Sequence, residues 1–239
     1  GSCQFFRLNK LAPAPALQFL VKSHSRRAYH RADGTFVSAS TVAAHCRERS
    51  KIFELWLPKF TEVLPTGWSA REQRRVWIEE EKVRVFDALE SLPDLLTMQR
   101  IRAIVRLKES IHRRNPASLG EEGTLALYDS AFSKDMNLAR VLAHELAHAL
   151  YQNGYEDLKV GYRKATGWVL TLEGRTVYQT RRKSGYVAAD GATSAKEDFA
   201  NNVEYFLFDR KALKTATESA DGWLQSTFGD RLKLKGSVK

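Results

Sequence analysis

The 239-residue chain has few cysteines, no long apolar run and no histidine beyond residue 148. Its two cysteines, Cys3 and Cys46, allow at most one disulfide and exclude a zinc ribbon, so we interpret both as structural or free thiols. No stretch of 18 apolar residues occurs, which excludes a membrane-spanning helix. Since His148 is the last of six histidines, any site completed further along the chain has to use other side chains.

The start of the chain gives little information about its compartment. Gly1-Ser2 resembles the pair that remains when an expression tag is removed, and no signal peptide follows it. We therefore expect a fragment or a mature form, and a secreted or periplasmic bacterial protein is one hypothesis. The length fits one large domain, or a catalytic domain with an extension.

Positive charge is concentrated in the first half of the chain. Residues 1–120 contain 21 Lys and Arg against 12 Asp and Glu, whereas residues 121–239 contain 17 against 16. Such asymmetry would favour an anionic partner such as a nucleic acid, an anionic lipid surface or a cell-wall polymer. No binding motif accompanies the charge, and acidic residues interleave with the arginines of 71–84, so a solvated helix is favoured. We expect no specific nucleic-acid partner.

The pattern along the chain predicts a mostly helical, basic N-terminal region over 1–92. Within it, Tyr29 to Val37 contains two strand-like pieces around the turn dipeptide Asp33-Gly34. A helix is predicted from Ser38 or Ser40 to Arg49, and a longer one from Ser69 to Leu89.

A second domain is predicted over 93–239, with Pro93 marking the boundary. The predicted elements are strands over 101–107 and 124–128, a helix over 135–152, a hairpin over 167–180 and a helix over 194–209.

A five-residue motif in the helix predicted over 135–152 is the clearest chemical signal. His144 to His148 spell H-E-x-x-H, and residues four apart on a helix lie about 40° apart around its axis. Both imidazoles can therefore bind one zinc ion, while Glu145 takes a proton from the water that the ion holds. This chemistry is peptide hydrolysis. The alternative is a surface helix with satisfied histidines, which the apolar surroundings disfavour because unpartnered polar groups are costly to bury.

A third ligand beyond this helix has to be acidic. Metzincins place a third histidine six residues past the second, which is Gly154 here, and SprT-like proteins also use a downstream histidine. The acidic candidates are Glu156, Asp157, Glu173, Asp190, Glu197, Asp198, Glu204 and Asp209. Of these, Glu156 and Asp157 follow the helix too closely to fold back over the ion, and Glu173 is predicted to lie in a hairpin turn.

Glu197 opens the helix predicted over 194–209, and its carboxylate could point at the zinc ion from the first turn. The alternative is a capping box, S-x-x-E, in which Ser194 and Glu197 bond to the start of their own helix. Metal-bound imidazoles usually donate their second N–H to a carboxylate or carbonyl. Asp198 and Asn201 are the nearest candidates for this role, although Asn201 could equally be a solvated helix residue.

Further segments accompany the motif, from about Leu92 to the C-terminus. They are Thr124–Tyr128, Val141–Leu150, Gly185-Tyr186-Val187, Glu197-Asp198-Phe199-Ala200, Trp223-Leu224 and Phe228-Gly229. With H-E-x-x-H, these segments resemble the gluzincin metallopeptidases related to the anthrax lethal factor catalytic domain. The resemblance implies an α+β fold, with a zincin-like catalytic domain that contains a small mixed sheet and the H-E-x-x-H helix.

The resemblance also implies roles for individual residues. It makes His144, His148 and Glu197 the zinc ligands, Glu145 the general base and Tyr186 the group that stabilises the oxyanion. The gap between Tyr186 and Glu197 is longer than the family pattern, which leaves Tyr205 as the alternative. In zincins the strand before the active helix often forms a sheet edge to which substrate adds as a further strand. The segment 124–128 is expected to serve this purpose.

The favoured hypothesis is a zinc endopeptidase, and the resemblance includes bacterial toxins and secreted effectors. Its substrate would be a protein or peptide, with a cell-wall peptide as one option. An ImmA/IrrE-like regulatory protease is the second hypothesis, which the long gap before Glu197 and the lack of a helix-turn-helix disfavour. A non-catalytic binding module is the third, and the intact Glu145 disfavours it.

Overall fold

The computed structural model describes residues 18–21, 24–26, 29–30, 36–37, 40–42, 45–48, 50–64, 68, 72–111, 115–170, 178–180 and 185–236. Cys3, the Asp33-Gly34 pair and Glu173 lie outside these ranges. Backbone contacts divide the chain into two units, residues 1–57 and 58–239. The boundary predicted at Pro93 falls within the second unit, so residues 58–92 share a unit with the H-E-x-x-H helix.

The described strands of the first unit form three antiparallel pairs, which are together named the N-terminal ladder. Strand β1 (Gln18–Val21) pairs with β6 (His45–Glu48), β2 (His24–Arg26) with β5 (Ser40–Val42), and β3 (Tyr29–His30) with β4 (Phe36–Val37). All three pairs are centred on residue 33 of the sequence, because Gln18 faces Glu48, His24 faces Val42 and Tyr29 faces Val37.

This ladder confirms the two strands predicted between Tyr29 and Val37. The prediction of a mostly helical region is wrong for the described part of residues 18–48, and so is the predicted helix from Ser38 or Ser40 to Arg49. The described residues there pair across strands, and this long-range pairing overrides the local helix pattern. Helix begins only at α1 (Lys51–Trp56), where the Ser50 hydroxyl accepts a hydrogen bond of 3.1 Å from Phe53 N.

The second unit contains a small mixed sheet of four strands. In spatial order they are β7 (Phe60–Thr61), β8 (Ala103–Arg106), β10 (Thr124–Leu127) and β9 (Ala117–Leu119). The pairs β7–β8 and β8–β10 are parallel, and β9 is antiparallel to β10. The strands predicted over 101–107 and 124–128 are confirmed. The edge position expected for the latter is wrong, because β9 covers it.

A long helix was predicted from Ser69, but α2 spans only Glu79–Ser91. The segment before it is extended and bonds to the end of β8 and to the residues that follow β8. Arg75 N donates to Arg106 O at 2.8 Å, and Lys108 N donates to Gln73 O at 2.7 Å. These bonds replace the helical ones, so tertiary pairing delays the helix start by about three turns.

Both faces of the sheet are packed against other residues. Val105, Leu107, Ala126 and Tyr128 form a buried cluster on one face, against which Leu64 and Trp68 pack. Because side chains alternate along a strand, the fully buried Ile104 and Leu125 point to the other face. The short helix α3 (Asp94–Thr97) and α2 pack against the central helix α4 (Leu138–Asn153). Helix α4 confirms the helix predicted over 135–152.

The C-terminal part consists of helices and one strand pair. After α5 (Glu156–Thr166), strands β11 (Trp168–Leu170) and β12 (Tyr178–Thr180) pair as the predicted hairpin, and α6 (Ala195–Phe208) confirms the helix predicted over 194–209. Helices α7 (Arg210–Ala216) and α8 (Glu218–Phe228) follow. With eight α-helices and the mixed sheet in the described ranges, the fold is α+β. None of these helices is long and apolar enough to cross a membrane.

Candidate metal centre

Helix α4 places both histidines of the motif on one buried face. The Asn137 side chain caps the helix by accepting a hydrogen bond of 3.2 Å from Arg140 N. The apolar residues around the motif, including Leu142, Leu146 and Ala147, are fully buried, so the motif faces the protein interior. The rings of His144 and His148 lie with centroids 4.8 Å apart and planes at 87° to each other.

Glu197 completes a three-residue cluster from the first turn of α6. Its Oε2 atom lies 3.3 Å from His148 Nε2 and 3.6 Å from His144 Nε2. These three residues form the one group among the described residues whose side chains could hold a metal ion. Four-coordinate tetrahedral zinc, with bonds of about 2.0 to 2.1 Å, separates its ligand atoms by about 3.3 Å. The two Glu197 distances match this separation.

The two sequence hypotheses for Glu197 both describe part of the structure. The Ser194 hydroxyl accepts a hydrogen bond of 3.1 Å from Glu197 N, as in the first half of a capping box. The Glu197 carboxylate, however, turns to the histidines and not to the start of its own helix. The backbone of Glu197 therefore serves the cap while its side chain remains available as a ligand.

A second carboxylate, that of Glu204, contacts the ring nitrogen of His144 that does not face Glu197. His144 Nδ1 lies 3.0 Å from Glu204 Oε2, and the other oxygen of Glu204 accepts a hydrogen bond from Arg140 Nε. The Arg140 guanidinium lies 4.4 Å from the ring centroid of Tyr205. If Nδ1 donates to Glu204, the lone pair of Nε2 is left for a metal ion, which is the usual arrangement in metal sites.

Glu204 takes the role for which Asp198 and Asn201 were proposed. Asn201 Nδ2 instead donates to Asp190 Oδ1 at 2.7 Å, and Asp198 is buried in a separate hydrogen-bond network. A signal for Glu204 was present in the sequence, because a residue seven positions after Glu197 lies about 20° from it around a helix axis.

His148 is held differently from His144. Its side chain is almost fully buried, and its Nδ1 atom has no hydrogen-bond partner in the part of the chain that the structure describes. The ring is therefore oriented by packing, including the nearly perpendicular contact with His144, and by Glu197 at its Nε2 atom.

The charges of the cluster are strongly coupled. Burial lowers the pKa of His144, but its hydrogen bonds to Glu197 and Glu204 outweigh this effect and raise the pKa to about 10. Burial disfavours the charge on Glu197, yet its bonds to both histidines hold the pKa of that carboxyl well below its usual range. Without a metal, the cluster is thus a carboxylate–imidazolium pair, and a cation binding there would replace the proton of His144.

Glu145 is the remaining polar residue of the motif and is buried. Burial raises the pKa of its carboxyl, and the opposing charges of His144 and His148 are the next largest influences. A carboxylate with a raised pKa accepts a proton more readily near neutral pH. Glu145 therefore combines a position beside the cluster with the protonation behaviour of a general base.

The two tyrosine candidates lie in different surroundings. The Tyr186 ring lies 6.4 Å from that of Trp168, and its Cδ1 atom is 3.4 Å from where a Cβ on Gly191 would be. Tyr205 packs against Arg140, whose guanidinium bonds to Glu204. A role for either hydroxyl in stabilising an oxyanion stays a prediction.

The other acidic candidates are engaged away from the histidines. Glu156 pairs with Arg163 at 2.6 Å, and Asp157 is exposed on α5. Asp209 caps α7 by accepting a hydrogen bond of 3.1 Å from Ala212 N. Of the candidates within the described ranges, Glu197 alone joins both histidines.

In comparisons with known proteins, no family model, no curated protein and no solved structure matches this chain. The resemblance to the lethal factor-like gluzincins therefore depends on the sequence segments given above. The function has to be inferred from the site itself.

Proposed function

We propose that the protein is a zinc-dependent endopeptidase of the gluzincin type. The observation that carries the proposal is the convergence of His144 Nε2, His148 Nε2 and Glu197 Oε2, with the buried Glu145 next to them in sequence. Two imidazoles and one carboxylate are a ligand set found in catalytic zinc sites, which leave a fourth position open. The α+β fold and the buried H-E-x-x-H helix are compatible with a zincin-like domain.

The residues present fit a zinc ion. Imidazole nitrogen and carboxylate oxygen suit zinc among the common divalent metals, and Glu204 supplies the carboxylate that usually supports a ligating histidine. A bound zinc ion would acidify a water molecule and polarise the peptide carbonyl. His144, His148 and Glu197 would hold the ion.

The chain's own residues account for the proton transfers. Glu145 would accept a proton from the attacking water and pass it to the nitrogen of the leaving amine. Its burial favours the protonated form that the second transfer needs. Tyr186, or Tyr205 in its place, remains the proposed donor to the oxyanion.

Strand β9 lies at one edge of the sheet in the described part of the chain, and its outer side offers a place for a peptide substrate. Tyr128 N donates to Pro116 O, and Gly120 N donates to Thr124 O, so bonded pairs alternate along the β9–β10 ladder. By this alternation, the backbone groups of Ala117 and Leu119 point away from β10. Strand β9 also packs against α4. An extended peptide added to β9, and not to β10 as the sequence pattern suggested, would run beside the helix that bears Glu145.

Two measurements test the proposal together. The purified protein is expected to contain about one zinc ion per chain and to cleave within a library of unstructured peptides. A chelator should abolish cleavage, and added zinc should restore it. A protein that holds no transition metal, and that added zinc does not stabilise, would contradict the proposal. Zinc binding without any cleavage would support a non-catalytic metal-binding module instead.

A further inference from the structure

Asp198, the residue that follows Glu197, is buried and accepts hydrogen bonds from three uncharged donors among the described residues. Its side chain is 1% exposed. Its Oδ2 atom accepts hydrogen bonds of 2.8 Å from the Tyr162 hydroxyl and 2.8 Å from Trp168 Nε1, and its Oδ1 atom accepts one of 3.3 Å from Asn202 Nδ2. A carboxylate is costly to bury unless it is fully hydrogen-bonded, so this arrangement strongly favours one orientation.

The donors come from three different elements. Tyr162 lies on α5, Trp168 begins β11 and Asn202 lies one turn further along α6. Asn202 Nδ2 also donates to the Tyr162 hydroxyl at 2.7 Å, which closes the network. One side chain therefore joins the first turn of α6 to both α5 and the hairpin strand.

This network also reaches the helix that carries the histidines. The Tyr162 ring packs edge-on against Phe199 of α6 and against Tyr151 of α4, with centroid distances of 5.0 and 6.3 Å. Tyr162 thus contacts α4 and α6 and bonds to Asp198. The position of α6 relative to α4 is therefore tied to the Asp198 carboxylate.

Consecutive residues of a helix point about 100° apart. When Asp198 faces its buried donors, the rotation of α6 about its axis is fixed, and Glu197 is turned towards the histidines. The Ser194 cap fixes where α6 begins, but a cap alone does not fix the rotation of the helix against its neighbours.

We propose that Asp198 is a positioning residue for the metal centre, which sets the rotation of α6 and so places the Glu197 carboxylate against His144 and His148. The inference rests on the proposed function, because it concerns the same metal site. Asp198 itself bonds to Tyr162, Trp168 and Asn202 and acts on the metal through Glu197.

The test compares two buried aspartates of the C-terminal helices. Asp198→Ala removes the network, and Asp221→Ala is the matched control. Asp221 is 5% exposed and pairs with Arg210 Nε at 2.6 Å. Zinc affinity is measured by chelator competition on the folded proteins. The visible spectrum of the cobalt-substituted site reports ligand geometry, and urea denaturation of the metal-free proteins reports stability.

Asp198→Ala is expected to weaken zinc binding about 10- to 100-fold, which is the range found when a group that orients a metal ligand is removed. It should also alter the cobalt spectrum, because Glu197 would be placed differently. Asp221→Ala should lower stability and leave both metal readouts unchanged. Asp198→Asn, which keeps the shape and one acceptor oxygen, should restore most of the affinity. Should Asp198→Ala not fold, Tyr162→Phe replaces it and should weaken zinc binding several-fold.

Unchanged zinc affinity and cobalt spectrum in Asp198→Ala, or in Tyr162→Phe where that variant replaces it, would overturn the inference and leave the proposed function standing. Equal losses of affinity in Asp198→Ala and Asp221→Ala would also overturn it, because general destabilisation would then explain both. Absence of zinc binding by the wild-type protein would instead overturn the proposed function.

Discussion

His144 Nδ1 lies 3.0 Å from Glu204 Oε2, although 60 residues separate the two in the chain. Glu204 lies two turns beyond Glu197 on the same helix, so α6 reaches His144 at both of its ring nitrogens. One helix thus carries both the proposed acidic ligand and a carboxylate that contacts the other ring nitrogen of His144.

Glu145→Gln should keep the fold and the zinc ion but abolish turnover, because an amide cannot accept the proton of the attacking water. Loss of a general base typically costs about 10²- to 10⁴-fold in rate. Metal analysis and single-turnover cleavage would measure the two properties separately. Glu156→Gln, on an exposed glutamate of α5, is the control and should cleave normally. Near-normal cleavage by Glu145→Gln would remove this residue from the mechanism.

Glu197→Ala and Ser194→Ala should separate the ligand from the cap. Glu197→Ala removes a ligand but keeps the backbone N–H that bonds to Ser194, so zinc affinity should fall by orders of magnitude while the metal-free helix remains. Ser194→Ala should cost about 0.5 to 2 kcal/mol of unfolding free energy and retain zinc. Chelator competition and thermal denaturation measure the two effects. The opposite pattern would make Glu197 a capping residue.

Glu204→Ala should weaken zinc binding about 10- to 100-fold, between the effects of Glu197→Ala and Ser194→Ala. The physical reason is that His144 would lose the acceptor for its Nδ1 atom and Arg140 would lose its carboxylate partner. Glu204→Gln keeps an acceptor oxygen and should fall closer to the wild type. Zinc competition titrations would rank the variants. A loss as complete as that of Glu197→Ala would make Glu204 a direct ligand.

The stability of the metal-free protein should depend on pH through His144. Because its pKa is raised to about 10 in the folded state, the stabilisation is fully present below the ordinary histidine pKa of about 6.5 and is lost as pH rises to about 10. The unfolding free energy of the wild type minus that of Glu204→Gln should therefore shrink across this range. Urea denaturation in chelator at several pH values measures it. A constant difference would contradict the predicted coupling.

If a peptide substrate adds to the outer side of β9, proline should have different effects at neighbouring positions of that strand. Leu119→Pro removes an N–H that points away from β10, so it should leave the fold and zinc content intact but raise KM for peptides. Ser118→Pro removes an N–H within the ladder to Ala126 and should destabilise the fold itself. Peptide kinetics and thermal denaturation distinguish the two. Unchanged kinetics in Leu119→Pro would exclude β9 as the substrate edge.

The parts of the fold that could be predicted from the sequence are those set by local periodicity. Helices α4 and α6 follow from their apolar spacing, and α6 also from its capping residue Ser194. Their side-chain directions then favour Glu197 as the third member of the cluster. The paired strands β8 and β10 were also found from local pattern, since each is a short, mostly buried segment with apolar residues at its centre.

The parts that could not be predicted depend on contacts between distant segments. Strand β9 has only three residues and is defined by its pairing with β10, so no local pattern marks it. The N-terminal ladder likewise depends on pairing between separated segments, such as β1 with β6. The Asp198 network was missed because its donors, such as Tyr162 and Trp168, are ordinary core aromatics until the fold brings them together.

The spacing of the cluster along the chain has a mechanical consequence. His148 and Glu197 are separated by α5 and the β11–β12 hairpin, so an ion bound to both would cross-link the ends of a loop of about 50 residues. In the chain-entropy description used for disulfides, a cross-link of that span removes about 4 kcal/mol of disorder from the unfolded chain. A metal in this site would thus tether the C-terminal helices to α4 as well as supply chemistry. Its removal should loosen the chain after His148 first, and limited proteolysis in chelator should cut there before it cuts the sheet.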